Sequence, residues 1–469
     1  MTSAPVPADR VLATLNADGS RRWIRPKPSH GRYWTRRRSV AWVLMALFLG
    51  LPHVRILGRP AILLDLPRRE FTLFGTTFLP TDTLLLMLLG ISILVGIFLA
   101  TALFGRVWCG WACPQTVWME FLFRPIERWL EGGWNQGRVL DRDRRFFTPR
   151  RVAKYAIYAV LAAILANTFL AYFVGTERLA HWMTRSPATH LAPFLVMFVT
   201  TALVFVDFTW FREQTCLVAC PYGRWQSVLL DRQSLIVAYD AARGEPRGHG
   251  KGDRAGLGDC VDCGACVLTC PTGIDIRDGL QMECVHCTQC ADACDAVMAR
   301  VGKPAGLVRY ASQDALEGRK RRLLRPRTIL YPSAFALFFG SFLVALANRS
   351  PADVTLLGAV GAPFTREPGD SIVNQVRIRI ANRTRAAARY TIDLVQANGV
   401  RLIAPGAPLT VAPGVTATTS VFVVAPGAAF HDERLDVRFR VSDGGTWHRE
   451  FPWPLRGPAR AEHDEERAP

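Results

Sequence analysis

Twelve cysteines, in three groups with regular spacing, are the residues of this sequence best suited to chemistry. Eight of them form two runs of Cys-x2-Cys-x2-Cys-x3-Cys between residues 260 and 294. In two-cluster ferredoxins, three thiolates of such a run hold one [4Fe–4S] cluster and the fourth binds the other cluster. The spacing therefore predicts two clusters with crossed ligand sets. One set is Cys260, Cys263, Cys266 and Cys294, and the other is Cys284, Cys287, Cys290 and Cys270.

Three details of these runs bear on the prediction. Zinc held by Cys-x2-Cys pairs is the alternative, and two complete runs of four disfavour it. Asp295 stands where a proline follows the first run, and a nearby carboxylate is expected to lower the reduction potential of its cluster. His286 lies among the ligands and is expected only to pack beside them, because four thiolates already satisfy each cluster.

The other four cysteines form two Cys-x3-Cys-Pro motifs, each just after a long apolar run. The motifs contain Cys109 and Cys113 in the first copy and Cys216 and Cys220 in the second. The proline biases the cysteine before it away from helical geometry, so each pair is expected at a helix break near the membrane edge. The pairs could form a soft-metal site that selects Cu(I), redox-active dithiols or a further iron–sulfur centre. They could also simply pack two hairpins together.

Several apolar stretches of about 20 residues, enough to span a hydrocarbon core of roughly 30 Å, predict a polytopic α-helical membrane protein. The predicted spans are 39–51, 83–104, 152–174, 191–211 and 328–347. Each Cys-x3-Cys-Pro motif follows a pair of these helices. This weak internal repeat predicts two related hairpins that bring their cysteine pairs together.

The net charge of +18 comes mainly from arginines that flank the apolar stretches. Positive-inside topology explains this distribution more simply than nucleic-acid binding does. It predicts a multi-pass membrane protein with a cytoplasmic N-terminus and, after five crossings, a C-terminal domain on the outer side. All twelve cysteines then lie on the reducing cytoplasmic side, where metal or redox roles are favoured over structural disulfides. The first 38 residues are polar and basic, and we expect no signal peptide.

The region after the last span has no cysteine and is rich in β-branched residues. Its short alternating segments, separated by Gly, Pro and Asn turns, predict an immunoglobulin-like β-sandwich. The predicted organisation is a basic segment, 1–38; a four-helix region with both cysteine hairpins, 39–243; a linker and inserted two-cluster ferredoxin domain, 244–325; the fifth helix, 326–348; the β-sandwich, 349–458; and a charged tail, 459–469.

A few polar or sulfur-containing residues lie in or near the predicted spans. Asp207 in the fourth span is a candidate functional group, because ionisable residues inside a membrane usually have a role. Asn167 is expected to hydrogen-bond between helices, and Met87 and Met197 are expected to pack. Three histidines near the outer face could bind a metal ion, although the favoured interpretation for each is an interfacial residue without a metal. They are His53, His181 and His190.

The motifs WCGWACPQTVWMEF, CLVACPYGRWQS, RGEPRG, GDCVDCGACVLTCPTGIDIRDGLQMECVHCTQCADACDAVM and GLVRY together resemble the FixG/RdxA/CcoG family of cytochrome c oxidase accessory proteins. The resemblance covers residues 30–455, including the β-sandwich. It implies a role in assembly of the cbb3-type oxidase, through reduction of Cu(II) to Cu(I) for delivery to the oxidase. The implied partners are oxidase subunits or other copper-delivery proteins.

The sequence therefore predicts an electron path from an unidentified cytoplasmic donor, through two clusters, to the two cysteine pairs. There Cys109, Cys113, Cys216 and Cys220 would act catalytically and hold copper briefly. One alternative is a quinol-linked conduit to another acceptor, with Asp207 assisting proton release. The other is a non-enzymatic assembly scaffold that docks the oxidase through its β-sandwich.

Overall fold

The computed structural model describes residues 10–12, 14–16, 18, 21–142, 148–248, 256–319, 325–384, 386–395 and 399–458. They fall into two units. One consists of the residues up to Phe78 with Leu84–Phe342, and the other of Leu79–Thr83 with the residues from Leu343 onward. The predicted charged tail lies outside the described residues, and so do residues 249–255 of the predicted linker.

Helices dominate the first unit. They are α1 (Arg32–Gly50), α2 (Thr83–Phe104), α3 (Val107–Trp111), α4 (Pro114–Trp118), α5 (Arg124–Leu130), α6 (Gly133–Arg142), α7 (Pro149–Val174), α8 (Thr176–Thr184), α9 (Leu191–Val206), α10 (Pro221–Leu229), α11 (Ala241–Gly244), α12 (Ala265–Leu268), α13 (Gln289–Arg300), α14 (Gln313–Leu316) and α15 (Pro326–Ala347). Among the described residues, four helices are long and apolar enough to cross a membrane: α2, α7, α9 with its π-helical extension to Phe211, and α15. They match four of the five predicted spans.

The first predicted span differs from the helix that forms there. Helix α1 begins at Arg32, seven residues before the predicted start, and carries Arg36, Arg37 and Arg38 in its first turns. Its apolar part is therefore short, and the fifth membrane crossing stays a prediction. The chain also forms small sheets that the sequence did not predict. Before α1, β1 (Arg10–Leu12) pairs with β2 (Leu15–Asn16). Between α1 and α2, β3 (Arg55–Ile56) pairs with β4 (Arg59–Pro60), and β5 (Ile62–Asp65), β6 (Glu70–Leu73) and β7 (Thr76–Phe78) pair in order.

The helix breaks predicted at the Cys-x3-Cys-Pro motifs are present in both copies. Cys113 and Cys220 have extended backbones, with ψ of 128° and 107°. Each is followed by a proline that begins the next helix, α4 or α10, where its missing N–H costs nothing. Three π-helical turns adjoin the motifs, Met119–Phe123, Asp207–Phe211 and Thr215–Ala219. Such turns often mark functional sites.

The cysteine-rich region is organised around a two-stranded antiparallel sheet of β8 (Ile236–Tyr239) and β9 (Val308–Ala311). Helices α12 and α13 pack beside it, and the core between them contains Val237, Ile276, Met298 and Leu307. The region is tied to α1, since the Asp292 carboxylate accepts hydrogen bonds from the backbone N–H groups of Tyr33 and Trp34, at 3.1 and 2.7 Å. This contact fixes the cysteine-rich region against the start of the helical bundle.

The second unit is a β-sandwich of two antiparallel sheets. Its strands are β10 (Ala352–Gly358), β11 (Thr365–Glu367), β12 (Ser371–Asn382), β13 (Ala388–Val395), β14 (Arg401–Ile403), β15 (Leu409–Val411), β16 (Thr416–Pro426), β17 (Arg434–Ser442) and β18 (His448–Arg456). One sheet has the order β10-β12-β16-β14, with β11 also paired to β12, and the other β15-β13-β17-β18. Alternate residues such as Val376, Ile378 and Ile380 are buried between the sheets, as the sequence alternation predicted. The predicted fold class is confirmed.

Candidate redox site

Two cavities in the cysteine-rich region are lined by its thiols, four in the first and five in the second. The first is lined by Cys260, Cys263, Cys266 and Cys294. The second is lined by Cys270, Cys284, Cys287 and Cys290, and also by Cys266. The fourth cysteine of each run lines the cavity of the other run, Cys294 in the first and Cys270 in the second, while the crossed ligand sets themselves stay a prediction. Since Cys266 lines both cavities, the two sites are neighbours.

The same local backbone wraps both cavities. The second cysteine of each run lies between two residues whose backbone is in the left-handed conformation. These residues are Asp262 and Gly264 around Cys263, and His286 and Thr288 around Cys287. Three of the four are not glycine, and left-handed backbone in such residues costs free energy and concentrates at functional sites. The repeat of this conformation turns three thiols of each run toward one centre.

The residues present fit two [4Fe–4S] clusters by their donor set. All twelve cysteines lie in the described residues and none of them forms a disulfide, and eight of them line these two cavities. Burial raises the pKa of Cys266, Cys284 and Cys294 to about 12, so without metal these groups are neutral. In the described part of the chain, no three His, Cys, Asp or Glu side chains gather as ligands of a single ion. Cluster thiolates each bind a different iron, so they stand further apart than the ligands of one ion.

The two cysteine pairs come together and lie against the second cavity. Cys109 and Cys216 pack with Tyr222 against Val285 and Cys287. Burial raises the pKa of Cys216, and the nearby thiols of the other three motif cysteines raise it further. The Cys109 thiol donates a hydrogen bond of 3.1 Å to Gln226 Oε1. The predicted convergence of the hairpins is therefore present, with a cluster-type cavity directly beside it.

A chain of hydrogen bonds connects the first motif to the loop around Cys287. Trp111 Nε1 donates to the Tyr310 hydroxyl, and this hydroxyl donates to the His286 carbonyl, both at 2.9 Å. His286 Nδ1 accepts from the backbone N–H of Arg106 at 3.2 Å, so Nε2 carries the proton in the neutral ring. His286 is thus a packed neighbour of the ligands, as expected. No motif in the sequence pointed to the contacts of Trp111 and Tyr310.

A buried network of charged side chains lies beside the cysteine pairs. From the sequence, its arginines were explained only by the positive-inside rule, and their ion pairs were not predicted. The network contains Glu120, Glu127, Glu131 and Glu213 with Arg25, Arg124, Arg151, Lys154 and Arg212. The acidic members were recognisable in principle. Glu120, Glu127 and Glu131 are spaced by seven and four residues, which places them on one helical face.

The remaining candidates have ordinary contacts. The Asp207 carboxylate accepts hydrogen bonds from Gln115 Nε2, at 3.2 Å, and from the Thr215 hydroxyl. Asn167 donates to the Ala163 carbonyl of its own helix at 2.8 Å, so the expected bond between helices is wrong.

The candidate histidines and methionines lie in or near the membrane helices. The rings of His181 and His190 lie 5.9 Å apart, and in the described residues His53 does not join them in a metal-binding group. Met197 packs on Leu170 and Leu179, as predicted. Met87 is half exposed on the surface of α2.

A membrane-embedded helical unit with two ferredoxin-type cavities defines an iron–sulfur electron-transfer protein. Comparison with known families agrees. Residues 211–313 match the model of a 4Fe-4S dicluster domain, residues 86–135 that of a 4Fe-4S binding domain, and residues 342–451 that of the IG-like fold at the C-terminal of FixG.

Similar proteins extend over most of the chain. Protein RdxA of Cereibacter sphaeroides is 34% identical over 87% of this chain and 92% of its own length. Protein RdxB of the same organism is 34% identical, over 89% and 92%. The nitrogen fixation protein FixG of Rhizobium meliloti is 31% identical, over 92% and 91%. The chain belongs to this FixG/RdxA family.

Proposed function

We propose that this protein carries electrons from a cytoplasmic donor to cupric ion and supplies cuprous ion for assembly of a cbb3-type cytochrome c oxidase. In this proposal it resides in the bacterial inner membrane, with the cysteine-rich region in the cytoplasm and the β-sandwich in the periplasm. The observation that carries the proposal is the packing of Cys109 and Cys216 against Cys287. A copper-reducing site needs such a short connection to a cluster.

The proposed ligand sets define the route. Cys263 is the exposed cysteine of the first set, so a donor protein can approach there. Cys266 lines both cavities and connects the first set to the second. Cys287 of the second set then touches the motif cysteines. When bound, the clusters would supply the one-electron carriers, while the protein fixes their separation and shields them from water.

The motif thiols supply the terminal chemistry. Each cupric ion accepts one electron, so each one-electron equivalent that passes Cys287 reduces one Cu(II) to Cu(I). Thiolates are soft ligands that favour the cuprous product. Burial raises the pKa of Cys109 and Cys113, so these thiols release protons only as a metal binds.

The test compares two sulfur-removing variants of the full chain. Protein purified without oxygen and chemically reduced is mixed with Cu(II) and a cuprous-specific chelator, and cluster absorbance and Cu(I) are followed together. We expect C109S/C113S to stop Cu(I) formation while keeping its iron. M87L removes a half-exposed sulfur on α2 and should react as the wild type does. Unchanged Cu(I) formation in C109S/C113S would refute the proposal.

A second role for the pairs is favoured by one observation. The 4Fe-4S binding model matches residues 86–135, which contain Cys109 and Cys113. In this alternative the four motif thiols hold a further iron–sulfur centre instead of copper. The same variant separates the two roles, because C109S/C113S would then contain less iron per chain than the wild type.

A further inference from the structure

Arg37 is a buried cation whose compensating charge is missing from its protein contacts. It is 1% exposed, and its Nε donates to the Gly110 carbonyl at 2.8 Å. Its Nη1 has no hydrogen-bond partner among the described residues, and none of their carboxylates lies within 4.0 Å of the guanidinium. An unpaired buried charge costs several kcal/mol, so a negative group is expected beside it.

Arg37 lies close to the second cluster cavity. It lines an adjoining space that shares Pro271, Thr272, Val285 and Cys287 with that cavity. Glu120 lines the same space, but its charge is compensated by Arg124 at 2.7 Å. A cubane bound by four thiolates carries net negative charge. The group that fits the unsatisfied guanidinium is therefore the cluster itself.

Arg106 is a second buried arginine, and its side chain contacts the chain just before Cys284. It is 3% exposed, and its side chain donates to the Ser227 hydroxyl at 3.0 Å and to the Met282 carbonyl. These partners are neutral, and no described carboxylate lies within 4.0 Å. The backbone N–H of Arg106 donates to His286 Nδ1, beside Cys287, at 3.2 Å. Arg106 also lies three residues before Cys109 in the chain, so it is close to both the second ligand set and the cysteine pairs.

The first cavity has the opposite surroundings. Its cation, Arg277, is bound by the carboxylates of Asp275 and Asp262, which cancel its charge. Asp295 follows Cys294 directly and accepts a hydrogen bond from the Gly306 backbone N–H at 2.7 Å, and its ion pair with the exposed Arg32 is long, at 3.7 Å. The cations near the first ligand set are therefore paired with carboxylates, while Arg37 and Arg106 beside the second have no carboxylate within 4.0 Å among the described residues.

We infer that Arg37 and Arg106 hold the reduction potential of the cluster at Cys270, Cys284, Cys287 and Cys290 above that of the cluster at Cys260, Cys263, Cys266 and Cys294. Reduction adds negative charge, and a buried cation nearby stabilises the reduced form, whereas a carboxylate opposes it. Electrons that enter near the exposed Cys263 are thereby drawn toward the cysteine pairs. Both arginines are positioning residues that act through the cluster.

The experiment is a redox titration of anaerobic full-length protein, followed by electron paramagnetic resonance. R37Q should lower the midpoint potential of the second cluster and leave the midpoint potential of the first cluster unchanged. R37K keeps the charge and should stay near the wild-type value. R38Q is the matched control, because Arg38 is the exposed neighbour on the same helix. D295N should raise the potential of the other cluster.

Iron and sulfide content are measured for every variant, and R106Q gives a second test if R37Q loses iron. Unmoved potentials in an iron-replete R37Q or R106Q would overturn the inference, and so would an equal shift in R37K. The inference rests on the proposed ligand sets, which C290S checks by altering the signal of the cluster that R37Q shifts. Copper is absent from the titration, so failure of the proposed cupric reduction would leave this result unaffected.

Discussion

At the scale of single residues, the charge network beside the motifs depends on Glu127. Its two carboxylate oxygens accept from the two terminal nitrogens of Arg212, both at 3.1 Å, which is the bidentate geometry of strong ion pairs. Lys154 and Arg25 lie at 3.5 and 3.6 Å. Burial alone would raise the pKa of Glu127, but these cations hold it well below its ordinary range. The carboxylate therefore contributes to stability only while ionised.

Replacing Glu127 by Ala should destabilise the protein by about 3–5 kcal/mol, because the change leaves buried cations without a partner. In the wild type, this contribution should be complete above the unfolded pKa of about 4.3 and be lost as pH falls toward the lower folded pKa. Thermal unfolding in detergent at several pH values measures both effects. E177A is the control, since its exposed pair with Arg55 should be worth at most about 1 kcal/mol. Equal stability of the two variants would contradict the assignment.

At the scale of elements, the sequence predicted what local pattern determines. Cluster ligand spacing, helix-breaking proline after cysteine, long apolar spans and alternating strands all depend on near neighbours in the chain. The burial of Arg37 does not depend on near neighbours. In the sequence Arg37 cannot be told apart from Arg36 and Arg38, and only the position of the loop around Cys287 distinguishes it from them. The π-helical turns and the ion pairs of Glu127 likewise depend on residues far away in sequence.

Helix α3 approaches the second cavity through one residue without a side chain. A Cβ on Gly110 would lie 2.6 Å from the Val285 carbonyl oxygen and 2.8 Å from the backbone of Cys287. Those are backbone atoms of a strained loop, and moving them would cost free energy. Gly110 thus allows the first Cys-x3-Cys-Pro motif to contact the loop that presents Cys287.

We expect Gly110→Ala to destabilise the protein by roughly 1–3 kcal/mol through overpacking, and to lower iron content by displacing the Cys287 loop. Iron per chain and the thermal midpoint measure these effects. Gly90→Ala is the matched control, because Gly90 also lies in a helix but has open space around it. If both variants retain full iron and wild-type stability, α3 does not need its close contact with the loop.

At the scale of the whole molecule, redox chemistry and the β-sandwich belong to different units. All twelve cysteines are in the first unit, and the second contains none. The second unit includes the short segment before α2, where Asp82 pairs with Arg349 and, at 2.7 Å, with Arg383. A shortened chain that keeps Arg349 would therefore retain one partner for this buried carboxylate.

Ending the chain after Pro351 should separate electron transfer from assembly. Because the proposed clusters and motif cysteines all precede this point, we expect the truncated protein to keep its iron and to reduce Cu(II) as the full chain does. If the β-sandwich docks the oxidase, cells that make only the truncated protein should lack assembled cbb3-type oxidase, measured by its haem spectrum and oxygen uptake. Full-length D82N controls for the disturbed Asp82 pairing. Normal oxidase assembly by the truncated chain would exclude docking through the sandwich, whereas loss of iron would show that the first unit needs the second to fold.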